Sequence, residues 1–351
     1  MAVYTTIDNP ELYFQVKTYT GTGSSNAITL DGDEDMQPDW VWIKKRNGAT
    51  HHNIFDSVRG TTQTLYSNLN EGQSAESNAL TAFSSDGFTV GSYGEVNNSS
   101  DTFVAWCWKA GGSSSSNSDG SVTSTVSANT TLKFSIARFT GTGSNLTIGH
   151  GLGVKPDFII LKCDSSNSTD WTCYSSSLGA TKRLKLNATD ASSTNSTTWQ
   201  DTEPTTSVIS VGTSGDVNVS SGTHIVYSFA NIQGAVKCGS YKGNGNANGT
   251  FVYTGFRPAW LLIKRSSASG TDWILHDNKR AGFNVNDDYL APNTNAAEVT
   301  GNTYQNLDLL SNGFKLRGSG TGTNTSGETY IYVAFAESPF VNSKKIPNNA
   351  R

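Results

Sequence analysis

The sequence predicts an all-β protein built from three tandem antiparallel β-sandwich domains of the jelly-roll or concanavalin-like kind. One set of motifs occurs three times in the 351 residues. Charged residues make up only 15% of the chain, and Ser, Thr, Asn and Gly fill the balance, which favours short strands and tight turns over helices. Short apolar runs separated by Gly, Asn and Ser turns are typical of antiparallel sandwiches.

Each copy of the motif set opens with an aromatic residue and a glycine-rich turn. The openers are YTGTG at 19–23, FTGTG at 139–143 and YKGNG at 241–245. At nearly the same spacing, a proline follows and starts an apolar run that ends in lysine. These runs are PDWVWIK from Pro38, PDFIILK from Pro156 and PAWLLIK from Pro258. A repeat of about a hundred residues has the size of a domain.

Each copy also closes with an alternating strand. The three strands are TFVAWCW from Thr102, THIVYSF from Thr223 and TYIYVAF from Thr329. Their large side chains recur at every second position, as Trp106, Tyr227 and Val333 and then Trp108, Phe229 and Phe335. This period predicts half-buried strands with the apolar face inward. Two further positions are shared, a strand start at Phe88, Ile209 and Phe314 and an aromatic residue at Phe55, Trp171 and Trp273.

The repeats set the predicted domain boundaries. We expect sandwich domains at 17–111, 132–234 and 235–340, each long enough to bury a core of its own. Residues 112–131, which contain most of the run AGGSSSSNSDGS at 110–121, are predicted to be a flexible Gly/Ser-rich linker. Residues 341–351 form a polar tail. Three related domains are compatible with a threefold arrangement and with a rod.

Residues 1–16 are predicted to be an extended attachment segment. Asn9 precedes Pro10, which favours an extended or turn backbone, and Leu12, Tyr13 and Phe14 supply an apolar anchor. Two interpretations stay open, a strand that docks on the first domain and an arm that holds a neighbouring subunit. Terminal residues stay ordered only when something ties them down.

Charge and hydropathy exclude several classes of protein. The net charge of −4 and the pI near 5.7 argue against a nucleic-acid partner, since phosphate binding needs clustered Lys and Arg. The first residues lack the charged and apolar regions of a secretory signal, and no run of eighteen apolar residues occurs. We therefore expect synthesis as a soluble cytoplasmic product and no membrane insertion.

The candidates for metal, redox and catalytic chemistry are weak. Asp31, Asp33 and Asp35 are candidate metal ligands, but they lack the spacing of a calcium loop and are better explained as a hydrated turn. Cys107 and Cys163 are predicted to be reduced core residues, and a disulfide between Cys163 and Cys173 stays open. The neighbouring histidines at 51 and 52 point to opposite faces of a strand, and no nucleophile motif accompanies them. The sequence predicts neither an enzyme nor a cofactor.

Three aromatic residues in expected loops are candidates for sugar contact. Asn, Asp and Gly in sandwich loops can hydrogen-bond sugar hydroxyls while a ring stacks on the sugar face. The candidates are Tyr93, Trp199 and Tyr304. Ordinary half-exposed aromatic residues are the competing explanation for each.

The segments IDNPELYFQ, YTGTG, QPDWVWIKKRN, HHNIFDSVRG, FSSDGFTVGS and FVAWCWKAGG resemble a domain family that recurs in structural proteins of tailed bacteriophages, especially marine ones. The first repeat carries the resemblance over its full length. The other two share the frame but depart at the SVRG and WCWKAGG segments. The resemblance implies a virion component with sandwich domains and no known catalytic residues.

These observations give one leading functional hypothesis and one alternative. In the first, the chain is a virion structural protein on the particle exterior, in a tail, a fibre or the capsid decoration. We expect it to be oligomeric or present in many copies, and to bind other virion proteins through residues 1–16, so that weak contacts add up to firm attachment. In the alternative, it is a carbohydrate-binding module that recognises host-surface glycans.

Overall fold

The structure is a computed structural model that describes residues 5–166 and 168–339. Within these residues the ordered elements are 26 strands and three single-turn helices, namely Pro10–Leu12, α1 (Gly94–Asn97) and α2 (Ser196–Trp199). Every strand ladder among them is antiparallel. The prediction of an all-β chain made of antiparallel sheets is confirmed.

The first repeat forms one large and one small sheet. Its strands are β1 (Phe14–Thr20), β2 (Asn26–Ile28), β3 (Trp40–Lys45), β4 (Asn53–Asp56), β5 (Gly60–Tyr66), β6 (Ser74–Ala75), β7 (Leu80–Ser84), β8 (Gly87–Val90) and β9 (Thr102–Trp108). The large sheet has the order β1-β9-β3-β4-β5-β6 and the small sheet the order β2-β8-β7.

The second repeat has the same plan with two added strands. Its strands are β10 (Ser115–Asn117), β11 (Ser124–Asn129), β12 (Phe134–Thr140), β13 (Leu146–Gly149), β14 (Phe158–Cys163), β15 (Thr172–Ser175), β16 (Lys182–Lys185), β17 (Ser193–Thr194), β18 (Val208–Val211) and β19 (Thr223–Phe229). The large sheet has the order β10-β11-β12-β19-β14-β15-β16-β17, and β13 pairs with β18.

The third repeat is the shortest version of the plan. Its strands are β20 (Val236–Lys242), β21 (Phe251–Tyr253), β22 (Phe256–Arg265), β23 (Ile274–Asp277), β24 (Leu307–Leu310), β25 (Gly313–Leu316) and β26 (Thr329–Pro339). Its sheets have the orders β20-β26-β22-β23 and β21-β25-β24. The opener, the lysine run and the closing strand of each repeat lie side by side in its large sheet.

Each large sheet is buried on both faces. In β9, Phe103, Ala105 and Cys107 join a cluster with residues of the small sheet, whereas Trp106 and Trp108 point the other way and are also fully buried. The sequence predicted a half-buried strand, and this was wrong because the second face packs against other repeats. The second and third repeats have equivalent clusters between their own sheets.

The second faces of the three large sheets meet in one shared hydrophobic core. It includes Trp40, Trp42, Trp106 and Trp108 of the first repeat, Phe134, Ile160, Trp171 and Phe229 of the second, and Trp260, Leu262, Trp273 and Phe335 of the third. Rings from different repeats touch there, for example Trp40 with Tyr227 at 4.5 Å between centroids and Trp108 with Trp260 at 5.5 Å. The expectation of separate cores was therefore incomplete, because a fourth core joins the repeats.

The repeats close into a ring. The Gln73 amide of the first repeat donates to the Asp164 carbonyl of the second at 2.7 Å. At the equivalent positions, the Ser192 amide of the second donates to Ser266 of the third at 2.9 Å, and the Glu298 amide of the third donates to Arg46 of the first at 2.8 Å. A rod would leave the third of these contacts unmade. Of the two arrangements compatible with the sequence, the structure has the threefold one.

Residues 112–131 are not a flexible linker, because they contain β10 and β11. β11 pairs with the opener strand β12 along its whole length, and Ser124, Val126 and Ser127 are buried. Val122 bridges Ile148 and so covers the outer edge of β13. Ser and Gly are abundant here because the segment lies on the surface of a sheet and turns sharply, so composition alone misled the prediction.

Candidate functional site

The exposed hydrophobic side chains concentrate in the third repeat. Among the residues that the structure describes, five large hydrophobic side chains are exposed, and all five lie between residues 251 and 304: Phe251 (45% exposed), Tyr253 (53%), Phe283 (76%), Val285 (37%) and Tyr304 (66%). Contiguous exposed apolar groups commonly mark interaction surfaces. This part of the molecule is the strongest candidate for a binding surface.

Four of these residues lie on or beside the outer face of the small sheet β21-β25-β24. Val252 and Phe314 pair across the sheet and point into the repeat, which leaves Phe251 and its partner Lys315 on the outside. Lys315 in turn lies opposite Asp308, and the bridge between Asn286 and Leu307 brings Val285 beside Asp308.

Phe251, Lys315, Asp308 and Val285 therefore form a row across the sheet. The row is apolar at both ends and has a positive and a negative side chain between them. Phe283 lies next to it, because the Asn284 side chain hydrogen-bonds both backbone groups of Leu309. We call this surface the repeat-3 face, defined by Phe251, Phe283, Val285, Asp308, Lys315 and the half-buried Leu310, which lies opposite Gly313 in the same sheet.

The equivalent faces of the other two repeats are small and polar. In the first repeat, the register of β2, β8 and β7 puts Ala27, Thr89 and Ala82 where the third repeat has Phe251, Lys315 and Asp308. In the second repeat, Thr147 and Ser210 occupy the first two of these positions. The repeats share one plan, so the aromatic and charged residues of the repeat-3 face are an addition that the fold itself does not require.

The junctions between repeats contain buried ion pairs. Asp56 and Arg59 form a pair at 2.6 Å with both side chains fully buried, and Asp56 Oδ2 also accepts from the Tyr227 hydroxyl of the second repeat at 2.7 Å. Burial alone would lower the pKa of Arg59, but the Asp56 carboxylate outweighs it, so the pKa is raised. This cluster joins the first repeat to the second.

The junction between the third and first repeats has the same construction. Asp277 and Arg280 pair at 2.6 Å, and Asp277 Oδ2 accepts from Trp106 Nε1 at 2.9 Å. Burial raises the pKa of Asp277, but Arg280 outweighs burial and the net pKa is lowered. Glu298 adds a second carboxylate to Arg280 at 2.7 Å and also pairs with Arg46 of the first repeat.

The remaining junction has neither the ion pair nor the donor from the next repeat. The second repeat has Ser175 and Leu178 where the others have aspartate and arginine, and the third repeat supplies Val333 where the others supply Tyr227 and Trp106. A buried aspartate without a donor or counter-ion is costly. The simultaneous replacement is therefore what the physics of burial requires.

One protein family accounts for nearly the whole chain. Residues 9–339 match the domain of unknown function DUF7483, so a single family unit spans all three repeats. The chain belongs to the DUF7483 family. No curated protein matches the chain. Within the residues that the structure describes, no helix is long and apolar enough to cross a membrane.

The lysine that ends each apolar run in this DUF7483 chain is buried. Lys44, Lys162 and Lys264 are fully buried, and their ammonium groups donate hydrogen bonds to loop carbonyls, as Lys162 does to Thr169 at 2.7 Å. Burial lowers the pKa of each to about 8. Lys162 also donates to Asn70 of the first repeat at 3.0 Å. Lys162 thus reaches across a junction, whereas Lys44 and Lys264 hold loops of their own repeats.

A tryptophan fastens the second repeat to the first and the third repeat to the second. Trp171 Nε1 donates to the Tyr66 carbonyl at 2.9 Å, and Trp273 Nε1 donates to Lys185 at 2.9 Å. In the first repeat the position is His52, whose Nδ1 accepts from Trp42. Its Nε2 faces the Ala291 backbone without forming a hydrogen bond of normal geometry. The sequence aligned Phe55 here, three residues too late.

The predicted sugar-contact residues do not come together. Trp199 is buried against Tyr174 at 6.0 Å inside the second repeat, so its assignment to a surface loop was wrong. The short helix α2 turns the ring inward, which its aromatic content alone does not reveal. Tyr93 is half-buried and its hydroxyl bonds that of Tyr66 at 3.0 Å, whereas Tyr304 is exposed. Each of the three belongs to a different repeat.

The described part of the predicted attachment segment packs against its own chain. Asn9 caps the helical turn at Pro10, and Phe14 lies in the shared core, 4.9 Å from Trp108 and 5.2 Å from Phe335. Pro10 is buried, Leu12 is half-buried, and Tyr13 packs on the core. Of the two interpretations of these residues, a docked strand describes Phe14, which begins β1.

The remaining candidate ligands and thiols are separate from one another. Asp31 pairs with Lys17, and Asp33 and Asp35 are exposed in the same turn. Residues 5–166 and 168–339 hold no group of three or more His, Cys, Asp or Glu side chains that could bind a metal ion. Cys107, Cys163 and Cys173 are free and buried, as is Cys238, so Cys163 and Cys173 form no disulfide. The prediction of buried thiols at 107 and 163 is confirmed.

Cavities lie where repeats meet. One of about 400 Å³ is lined by residues 37, 39, 109–112 and 128–130, and one of about 340 Å³ is lined by residues 183–185 and 190–193 of the second repeat and Ser269 of the third. Asp39 lines the first cavity, and burial raises its pKa. Its Oδ2 accepts from the Gly112 amide at 3.2 Å, and the equivalent Asp157 accepts from Asn231 at 2.8 Å. This aspartate holds the chain where it leaves each of the first two repeats.

Proposed function

We propose that this chain is a structural component displayed on the exterior of a bacteriophage particle, with each repeat a β-sandwich and the three together a single building block. The observation that carries this function is the closed ring of repeats with its shared core. Several buried polar groups bind across the junctions of this ring, among them Asp56, Lys162 and Asp277. No catalytic role and no cofactor are proposed.

The ring arrangement favours a position of threefold character on the particle. Protein assemblies are usually symmetric, and a body with three similar faces can contact three equivalent neighbours at once. A capsid decoration site and a trimeric fibre both offer such neighbours. Three weak contacts made together give firm attachment. The resemblance of the first repeat to virion domains supports the same placement.

Electron microscopy of intact particles tests this function. Particles purified from a lysed host culture would be labelled with gold-coupled antibody against the chain. We expect gold at regular positions on the capsid or tail surface. Protein that stays in the soluble fraction, with unlabelled particles, would contradict the function.

Attachment through residues 1–16 needs a gentler test than deletion. Removing the segment would also remove Phe14 and Val16 from the shared core and unfold the protein. Leu12→Ser leaves both in place and alters a half-buried side chain. Loss of the chain from particles with an unchanged melting temperature is expected if the segment binds another virion protein, and full incorporation would exclude this role.

A carbohydrate-binding role is the second candidate, favoured by the exposed rings of the third repeat. Tyr304 is 66% exposed and could stack on a sugar face. A glycan array is the direct test, with Tyr304→Ala as the binding variant and Trp199 left intact because it is a core residue. Binding that Tyr304→Ala abolishes would establish this role, and silence across the array would exclude it.

A further inference from the structure

The repeat-3 face differs from its two counterparts in a way that the shared fold does not explain. Phe251 and Lys315 stand where the first repeat has Ala27 and Thr89 and the second has Thr147 and Ser210. Phe251 is 45% and Phe283 is 76% exposed. Exposed Phe and Val gain little from water, since neither can form a hydrogen bond, and their burial is favourable.

The order of residues across the face is self-complementary. From one edge to the other the row runs Phe251, Lys315, Asp308 and Val285. If two copies meet face to face about a twofold axis parallel to the strands, the order of one row is reversed relative to the other. Phe251 then lies opposite Val285 of the other copy, and Lys315 lies opposite Asp308.

This reversed order of the row favours a second copy of the chain as the binding partner over another class of molecule. Opposite charges meet twice in such a pair, and the apolar residues meet on both sides of them. Within its own chain Asp308 lies 3.4 Å from Arg317, and the two side chains are 18% and 40% exposed, so neither charge is sealed off from the surface. A partner with a uniform charge of either sign would oppose one of the two charges in the row.

We propose that the repeat-3 face binds the repeat-3 face of a second copy of this chain, forming a twofold dimer. Six side chains are few compared with the 20–30 residues per side of a standard stable interface, so we expect a dissociation constant of micromolar or weaker. Only one of the three equivalent faces carries the row, so association stops at two copies. Attachment to a particle is not required for it.

Charge-reversed variants test the twofold pairing directly. Asp308→Lys gives a face with two lysines, and Lys315→Asp gives a face with two aspartates. Sedimentation velocity from micromolar to millimolar concentration should show wild-type dimers, and each variant alone should associate about tenfold more weakly. An equimolar mixture of the two variants should recover association, since each lysine then meets an aspartate.

Two further variants separate this face from the rest of the molecule. Phe251→Ser should weaken the dimer without lowering the melting temperature, because the side chain is half exposed. Thr89→Lys adds a charge at the position of the first repeat that matches Lys315, and it should leave the dimer unchanged.

Monomers at every concentration, or a variant mixture no stronger than either variant alone, would overturn the twofold dimer. So would monomers accompanied by glycan binding that Phe251→Ser removes, which would assign the face to a sugar. None of these results depends on where the chain lies on a particle.

Discussion

The smallest units of this architecture are the buried Asp–Arg pairs at two junctions. Asp56 with Arg59 and Asp277 with Arg280 each bind a donor from another repeat, Tyr227 in one case and Trp106 in the other. The third junction shows that the ring also closes without them, through Ser175, Leu178 and Val333. The chain thus contains two junctions with a buried ion pair and one junction without, which can be compared directly.

Removing the remaining polar groups of the Asp56–Arg59 junction should restore stability that is lost when Asp56 alone is replaced. Asp56→Ser leaves Arg59 buried and unpaired, and we expect it to lower the free energy of unfolding by about 3–5 kcal/mol. Adding Arg59→Leu and Tyr227→Phe removes the unpaired groups, so the triple variant should recover at least half of that loss. Urea unfolding measures both. A triple variant less stable than Asp56→Ser would show that the pair is needed for more than charge balance.

Buried histidines give the protein a pH limit on the acid side. Burial lowers the pKa of His150, His224 and His276 to about 4 from 6.5. The unfolded chain therefore gains these protons before the folded one does, and stability that is full above pH 6.5 is lost as the pH falls toward 4. Each histidine should cost about 2 kcal/mol between pH 6.5 and pH 5.

Urea unfolding at pH 7 and pH 5 checks this loss. His224→Gln keeps an acceptor toward the Val219 amide, which His224 Nε2 binds at 3.1 Å, but it cannot gain a proton. The fall in stability should be smaller in this variant by about 2 kcal/mol. An identical fall in the variant and the wild type would mean that His224 does not resist protonation.

Part of this residue-scale detail was visible in the sequence. DSVR at 56–59 and DNKR at 277–280 share the spacing of an ion pair, and SSSL at 175–178 is the aligned departure from it. That the partner of each pair lies in another repeat could not be read, because residues 171 positions apart, such as Asp56 and Tyr227, meet only after the ring closes. The buried state of Trp199 was hidden for another reason, since α2 turns its ring toward Tyr174 inside the same repeat.

At the scale of elements, the segment between the first two repeats acts as a sheet edge. The Ser121 amide donates to Thr147 Oγ1 at 2.8 Å and the Thr147 amide donates to Ser121 Oγ at 2.9 Å. Edge strands are open to pairing with other chains, and a covering segment prevents this. Its Ser and Gly content predicted flexibility because small polar residues are common both in linkers and in surface strands.

A single methyl group tests how closely this segment packs. A Cβ at Gly120 would lie 2.3 Å from the Thr147 carbonyl oxygen, whereas a Cβ at Gly215 would meet nothing within 4 Å. Gly120→Ala should therefore lower stability by about 1–3 kcal/mol and make residues 112–131 sensitive to limited proteolysis. Gly215→Ala is the matched control and should be neutral within about 0.5 kcal/mol. Equal effects, or rapid cleavage of the wild type in this segment, would contradict the packing.

The elements themselves were the most predictable level. The lysine runs and the closing strands became β3, β14 and β22 and β9, β19 and β26, as their alternation predicts. The alternation of large side chains identified only one buried face. A strand that is buried on both faces is also apolar at the intervening positions. Phe103, Ala105 and Cys107, which alternate with Val104, Trp106 and Trp108 in the first closing strand, were the available signal.

At the scale of the whole molecule, the shared core makes the three repeats depend on one another. Each repeat has a hydrophobic cluster of its own, but all three repeats contribute to the shared core. The shared core contains seven of the largest buried aromatic rings of the chain, among them Trp40, Trp108, Tyr227 and Trp273. Separating the repeats would expose these rings to water, at a cost in free energy that grows with the apolar area exposed. We therefore expect one folding unit where the sequence predicted three.

Differential scanning calorimetry of the intact chain tests this claim most directly. The account predicts a single transition whose calorimetric and van't Hoff enthalpies agree, because the three repeats unfold together. The first repeat alone, residues 1–111, should show no cooperative transition at the same concentration. Three resolved transitions in the intact chain, or a sharp transition of the isolated first repeat at the temperature of the whole protein, would contradict it.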